Sequence, residues 1–276
     1  MNYKIVSDSS SNIFNLPDTN YSTVPLKIIS DSREFVDSPD LDISDMIEHF
    51  KKSKEKSTTS CPNAWEWEQE FSDADNVFAI TITSSLSGSY SSALQAKESF
   101  NDNRNIHIID SLSTGPEMYL IIEKLKECIH KNLSFDEICK IIDDYKEHTH
   151  LIFSLESLSN LVRNGRVSPA VAAIAGILGI RVVGQASDTG TLQPLKKCRG
   201  KKKAFITILS EMKAMGFNGG NVKIAHCLNE ESAQAMRKII TSEFPNCNIE
   251  INICTGLCSY YAEEGGLLIG FEDSNA

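Results

Sequence analysis

Along the first half of this chain, short apolar runs ending in Asp, Ser or Thr alternate with segments whose apolar residues recur every three to four positions. Runs from Tyr3 to Val6, Val77 to Thr83 and Ile106 to Ile109 predict strands, each followed by a polar turn. Helices are expected from Ser44 to Lys52, Trp65 to Phe71, Ser89 to Phe100 and Glu117 to Lys131. In the last of these, Met118, Ile121, Ile122, Leu125, Cys128 and Ile129 form one stripe, and Pro116 suits the first turn. A strand cannot return parallel to its neighbour without a crossover, so this alternation predicts βαβ units around a parallel sheet and an α/β fold. Three of the strand ends carry hydroxyl-rich loops, at 7–12, 83–88 and 110–115. Ligands of open α/β sheets bind beyond the carboxyl ends of strands, so these loops are expected to share one rim.

Beyond the charged segment from Asp143 to His150 the pattern changes. A strand is expected from Leu151 to Phe153, a short helix with a glycine stop in SLSNLVRNGRVSP, and a small-residue apolar segment in AVAAIAGILGI at 170–180. RVVGQASDTGTLQPLKKCRG predicts a hairpin turning at Ser187 to Gly190. A helix from Lys201 to Met215, a strand from Asn221 to His226, a helix from Glu230 to Phe244 capped by Asn229, and a strand from Ile249 to Cys254 follow. The 276 residues exceed the roughly 100 to 150 of a typical single domain, which predicts two, 1–150 and 151–276.

A net charge of −10 argues against nucleic acid or an anionic membrane as the main partner, since both require a positive footprint. No secretory signal and no run of 18 apolar residues is visible, so a cytoplasmic location without a membrane segment is expected. The eight cysteines are expected to be reduced and mostly buried. Cys254 and Cys258 lack the further ligands that a structural zinc needs, so no metal is expected. There is no G-x-S-x-G elbow, recognisable triad or phosphate-binding G-x-x-x-x-G-K-[ST] loop, hence no catalytic residue is assigned and no cofactor is called for.

The stretch AITITSSLSGSYSSALQA, from Ala79 to Ala96, carries six serines between Ser84 and Ser92 with no charged residue among them. Ser84, Ser85 and Ser87 lead into a helix at Ser89, so hydroxyls and unpaired backbone N–H groups converge at a positive helix end, which favours an anion. An N-cap serine and a turn glycine explain the same residues more plainly. Thr59 and Ser60 precede Pro62, and TSCP is expected to be a stiff approach loop rather than a strand. A carboxylate would suit such a rim, and so would the phosphate of a small phosphorylated metabolite. His226, ending VKIAH, reads as a satisfied core histidine. KKCRGKKK holds six cations in eight residues and reads either as a solvated helix start or as a docking patch for an acidic or phosphate-bearing partner.

Eight segments in register resemble the DegV family: IVSDSSSNI, VPLKI, STTSCP, TSSLSGSYSSA, DSLSTG, LSNLVRNGRVS, the hairpin, and PLKKCRGKKKA. The resemblance runs through nearly the whole chain. It implies an N-terminal parallel-sheet α/β domain followed by a C-terminal α/β domain with a largely antiparallel sheet. It also implies a non-catalytic protein that binds a long-chain fatty acid, in some members as the acyl-carrying subunit of a fatty acid kinase, with the kinase catalytic subunit as partner. By the same resemblance Thr59 and Ser87 donate to the carboxylate and Gly88 allows close backbone approach, with Ser60 and Ser84 on the same rim. Arg166 is a candidate for keeping the carboxylate ionised, or alternatively for capping the preceding helix. Four departures stand out. Cys61 replaces a usual Gln, Asn164 replaces the first glycine of G-G-R-I, and Glu117 with Met118 replaces a glycine-rich continuation. SYYAEEGGLLIGFE replaces the usual H-x-G-P-G turn, which puts Tyr261, a neutral donor, near the histidine position. AVAAIAGILGI could line an acyl tunnel or simply pack as a core helix.

Overall fold

The computed structural model describes residues 2–52, 56–100, 104–168 and 179–276. Strands β1 (Tyr3–Asp8), β2 (Tyr21–Val24), β6 (Asn76–Thr81) and β7 (Asn105–Asp110) form a four-stranded sheet in the order β2-β1-β6-β7, parallel throughout. Its central strand β6 is buried at all six positions, as a parallel sheet covered on both faces requires. A second sheet of three strands, β3 (Lys27–Ser30), β4 (Glu34–Val36) and β5 (Ser57–Ser60), is antiparallel. The third holds β8 (Thr149–Leu155), β9 (Ile180–Ala186), β10 (Leu192–Arg199), β11 (Asn221–His226), β12 (Asn248–Ile253) and β13 (Leu267–Glu272), in the order β10-β9-β8-β13-β11-β12. Every pair in it is antiparallel except β11 with β12.

Helices α1 (Ile43–Lys52), α2 (Ala64–Phe71), α3 (Ser89–Glu98), α4 (Pro116–His130) and α5 (Phe135–Tyr145) belong to the first half. In the second half lie α6 (Ser159–Arg163), α7 (Lys201–Ala214), α8 (Glu230–Glu243) and α9 (Gly256–Ala262). The expected α/β fold, parallel sheet and later antiparallel sheet are all present. Helix α5 and strands β2 to β5 were not anticipated, nor was α9. The TSCP stretch corrects one expectation, since Thr59 and Ser60 lie in β5, paired to Ile28 and Lys27 of β3. Consecutive β-branched threonines favour extended backbone, and Pro62 follows the strand without interrupting it. Asn229 corrects another: its side chain donates to the Gly265 carbonyl at 2.7 Å instead of capping α8. The apolar segment AVAAIAGILGI lies outside the described residues as far as 178.

Three apolar clusters give the layering. Helices α2 and α3 cover one face of the parallel sheet with Trp67, Phe71, Ala93 and Ala96 against Val6, Val77 and Ala79. Helices α7 and α8 cover the outer face of the six-stranded sheet. Between the two sheets runs the largest cluster, which contains Ile5, Phe78 and Ile80 from one side and Leu151, Phe153 and Leu268 from the other. Along β8 the side chains alternate, with Leu151, Phe153 and Leu155 in this shared core and Ile152 in the outer one.

Helix α4 fills the middle layer and is apolar on several sides, with Met118, Leu120, Ile121, Ile122 and Leu125 all buried. Its start rests directly on β13. A Cβ at Gly270 would stand 2.5 Å from the Pro116 carbonyl carbon, so only glycine admits this approach. Glu117 is thereby carried into the joint between the sheets, where it is 6% exposed. One carboxyl oxygen accepts from Thr149 Oγ1 at 3.0 Å, and Oε2 has no hydrogen-bond partner among the described residues.

Burial pushes the Glu117 carboxyl up to about 7. The folded state then holds a proton that the unfolded chain releases near 4.5. Its contribution to stability is full below that value and lost as pH rises through about 7. Glu117→Gln, neutral at every pH, should therefore stabilise the protein by about 1 to 3 kcal/mol at pH 8 and by little at pH 4.5. Urea unfolding at the two pH values checks this, and an equal effect at both would show that Glu117 is ionised in the fold.

Candidate functional site

The three hydroxyl-rich loops do share one rim, organised from inside by Asp8 at the end of β1. Asp8 is fully buried, and its Oδ2 accepts from the Ile82 N–H at 2.8 Å and from Ser89 Oγ at 2.7 Å, while Oδ1 accepts from Ser10. Burial pushes its carboxyl upward, opposed by these hydrogen bonds. The Thr83 N–H donates to the Ser113 carbonyl at 2.9 Å, and Gly115 N–H to the Ser10 carbonyl at 2.7 Å. Much of the serine richness is thus internal stitching that binds loop to loop. The first turn of α3 already has a carboxylate of its own through Ser89.

Beyond that rim lies a cavity of about 290 Å³ between the sheets. Its long walls are apolar: Leu151, Phe153 and Leu155 of β8, Leu268 of β13, Leu192 of β10, Leu161 of α6, Leu257 and Ala262 of α9, with Leu26, Ile82 and Leu86. Strand rise gives about 13 Å from Leu155 to Leu151, so one face of β8 forms a ladder along the cavity. Polar groups enter from five segments: Thr59 and Ser60 of β5, Ser87 and Gly88 before α3, Thr114 of the loop after β7, Arg166 after α6, and Tyr261 of α9. Six of the seven expected site residues therefore meet. Ser84 stands apart, exposed and outside the lining, with its backbone N–H on Asp110 Oδ1 at 3.1 Å.

Strand alternation explains how the polar end is held. Ser57 and Thr59, two residues apart on one face of β5, are each bonded to one of two adjacent tyrosines. Tyr261 Oη lies 2.8 Å from Thr59 Oγ1, and Tyr260 Oη lies 2.6 Å from Ser57 Oγ. Asn164, which stands where a glycine is usual, donates to Tyr260 Oη at 2.9 Å, and Arg163 Nη1 donates to Ser57 Oγ at 3.2 Å. Burial pushes the Tyr261 phenol upward, so it stays a neutral donor. The hydroxyl hydrogen between Tyr261 and Thr59 can be supplied by either partner, leaving one of them free to donate onward.

Arg166 donates from Nε to the Leu86 carbonyl at 3.0 Å and from Nη1 to the Asn164 carbonyl at 2.5 Å. It meets the capping reading by donating to the carbonyl at the end of α6, and it also lines the cavity beside Tyr261 and Ser87, fastening the loop before α3. Ser87 Oγ accepts weakly from the Ser89 N–H at 3.3 Å, and Gly88 is the N-cap without a side-chain bond. A Cβ at Gly88 would meet Cys61 Sγ at 3.1 Å, so Cys61 occupies the space beside that glycine. Cys258, also in the lining, is buried, and its thiol is pushed up to about 12 by that burial, which keeps it neutral. His226 takes no part in the lining; its Nδ1 accepts from the Asn229 N–H at 3.2 Å. The sequence reading missed Ser57, Tyr260 and the partnering role of Asn164. The period-two spacing of Ser57 and Thr59 and the doubled tyrosine were the available signals.

A family profile described as an uncharacterised protein of the DegV family matches residues 2–272. A DegV domain-containing protein of Streptococcus gordonii is 41% identical over 279 aligned positions, covering 99% of each chain. Among solved structures, a DegV family protein from Eubacterium eligens loaded with heptadecanoic acid superposes with a TM-score of 0.97 at 39% identity, covering 99% of this chain and 100% of that one. The Streptococcus pneumoniae Fatty Acid Kinase (Fak) B3 protein loaded with linoleic acid gives a TM-score of 0.96 at 42% identity, covering 99% of both chains. This chain belongs to the DegV family.

The tyrosine pair yields a stability prediction. Tyr260 is fully buried, and Tyr260→Phe removes the partner of Asn164 and Ser57 at once. The expected loss is about 1 to 3 kcal/mol, measured by urea unfolding. An unchanged midpoint would mean that these groups find water instead.

Proposed function

We propose that this protein binds a long-chain fatty acid and presents it to a separate kinase subunit for acyl-phosphate formation, with no catalytic residue of its own. The observation that carries this reading is the uneven polarity of the cavity, with Thr59, Ser87, Arg166 and Tyr261 gathered together and mostly leucines along the rest. A carboxylate fits the first and an acyl chain the second. The relatives loaded with heptadecanoic and linoleic acid, and the naming of one as a fatty acid kinase protein, support it. A small phosphorylated metabolite would leave these apolar walls unfilled. We assign Thr59, Ser60, Ser87, Gly88, Arg166 and Tyr261 to the head group, residues 1–150 to the rim and 151–276 to most of the chain cavity. Among the described residues no helix is long and apolar enough to cross a membrane, in keeping with a cytoplasmic carrier. The exposed KKCRGKKK stretch, with Cys198 turned inward, offers the partner a basic surface.

Tail and head divide the work. Each buried methylene contributes about 0.8 kcal/mol, whereas two or three charge-assisted hydrogen bonds at about 1.5 to 3 kcal/mol each set orientation. Native mass spectrometry of gently purified protein should find a co-purified C14 to C18 acid; a phosphorylated metabolite in its place would overturn the proposal. Ser87→Ala should weaken fatty acid affinity about tenfold to a hundredfold on delipidated protein while leaving the urea midpoint in place. A purely structural cap predicts the reverse. Tyr261→Phe should cost no more than about 2 kcal/mol of binding, since Thr59 retains its own hydroxyl for the carboxylate. Fatty acid titration of the folded variant reads this out, and complete loss of binding would refute tail dominance.

A further inference from the structure

On the other side of Arg166 from the acyl cavity lies an open groove of about 650 Å³. Among the described residues three cations line it, Lys56, Arg163 and Arg166, with Asp31 the single carboxylate. Ser57, Thr58 and Asn164 add neutral polar groups. This is a local positive site on a chain of net charge −10. No ion pair joins any of the three cations to a carboxylate among the described residues. Lys56 and Arg163 are exposed, and Arg163 is oriented by its bond to Ser57 Oγ.

The placement relative to the acyl cavity gives the groove its meaning. Arg166 lines both. Strand β5 divides them residue by residue, with Ser57 and Thr58 in the groove and Thr59 and Ser60 in the cavity. An anion built onto the carboxylate oxygen would therefore project past Arg166 toward Lys56 and Arg163. Guanidinium and ammonium groups are the usual partners of phosphoryl oxygens, and an unpaired set of them costs self-repulsion that a dianion relieves.

Resting on the fatty acid reading above, the geometry points to this groove as the phosphoryl site of the protein loaded with acyl phosphate: Lys56 and Arg163 hold the phosphate, while Arg166 spans phosphate and acyl oxygen. The carrier thus recognises product as well as substrate. A phosphate bound there is also shielded from the repulsion of an acidic chain.

The test compares two ligands of equal chain length on the full-length, delipidated protein. One is the fatty acid; the other is its 2-oxoalkylphosphonate, a stable isostere of the acyl phosphate. Lys56→Gln and Arg163→Gln are measured beside the parent protein by titration calorimetry, glutamine at 163 keeping a donor for Ser57. The expected result is an affinity loss of about tenfold for the phosphonate in each variant, with the fatty acid affinity within about twofold of the parent. Parallel losses for both ligands, or no loss for the phosphonate, would overturn the groove assignment. Failure of the parent protein to bind the fatty acid would instead overturn the carrier reading itself.

Discussion

The cavity depends on one buried carboxylate, Asp37, at the end of the three-stranded sheet. It is 1% exposed and sits at the N-terminus of α9, where Oδ1 accepts from the Gly256 N–H at 2.6 Å and Oδ2 from the Leu257 N–H at 2.9 Å. Ser9 Oγ from the loop after β1 donates to the same Oδ2 at 2.9 Å. A single side chain thereby satisfies a helix start whose amide hydrogens have no intrahelical acceptor, and ties it to both N-terminal sheets. Thr255 reinforces the joint by donating to Asn12 Oδ1 at 2.9 Å. Burial pushes the Asp37 carboxyl up to about 6, opposed by its donors. With α9 pinned in this way, Leu257, Cys258, Tyr261 and Ala262 face the cavity and Tyr260 reaches β5.

Two layers meet along a surface that neither could build alone. The parallel sheet brings hydroxyl loops to its carboxyl edge, but those loops are largely consumed by Asp8 and by one another. The six-stranded sheet brings a leucine ladder with nothing polar in it. Helix α4 holds the two apart and fills the space beside the cavity, its entry made possible by Gly270. The polar groups that line the cavity therefore come largely from residues at the seam: β5, the start of α3, the turn after α6, and α9. Asn164, which stands where a glycine is usual, and Tyr260, within the stretch that stands where an H-x-G-P-G turn is usual, bond to each other.

The fold class and the parallel sheet were legible in the sequence, and six of the seven residues named from it line one cavity, because period-two and period-3.6 patterns and strand-end hydroxyls are local signals. Thr59, Ser87, Arg166 and Tyr261 could be named from their motifs. Their meeting point could not, since Thr59 and Tyr261 are 202 residues apart and meet through the packing of α9, whose start Asp37 holds, against β5. The strand character of Ser57 to Ser60 was hidden by Pro62, and became visible only with β3 as its partner. Ser84 looked like its neighbours in sequence, yet its backbone is turned outward to Asp110. Which leucines pack a core and which wall a cavity was likewise undecidable from pattern, for both demand the same apolar alternation. Sequence periodicity records which face of an element is apolar. What lies across from that face, another element or open space, is set by how distant segments pack, and that was decided by the tertiary structure alone.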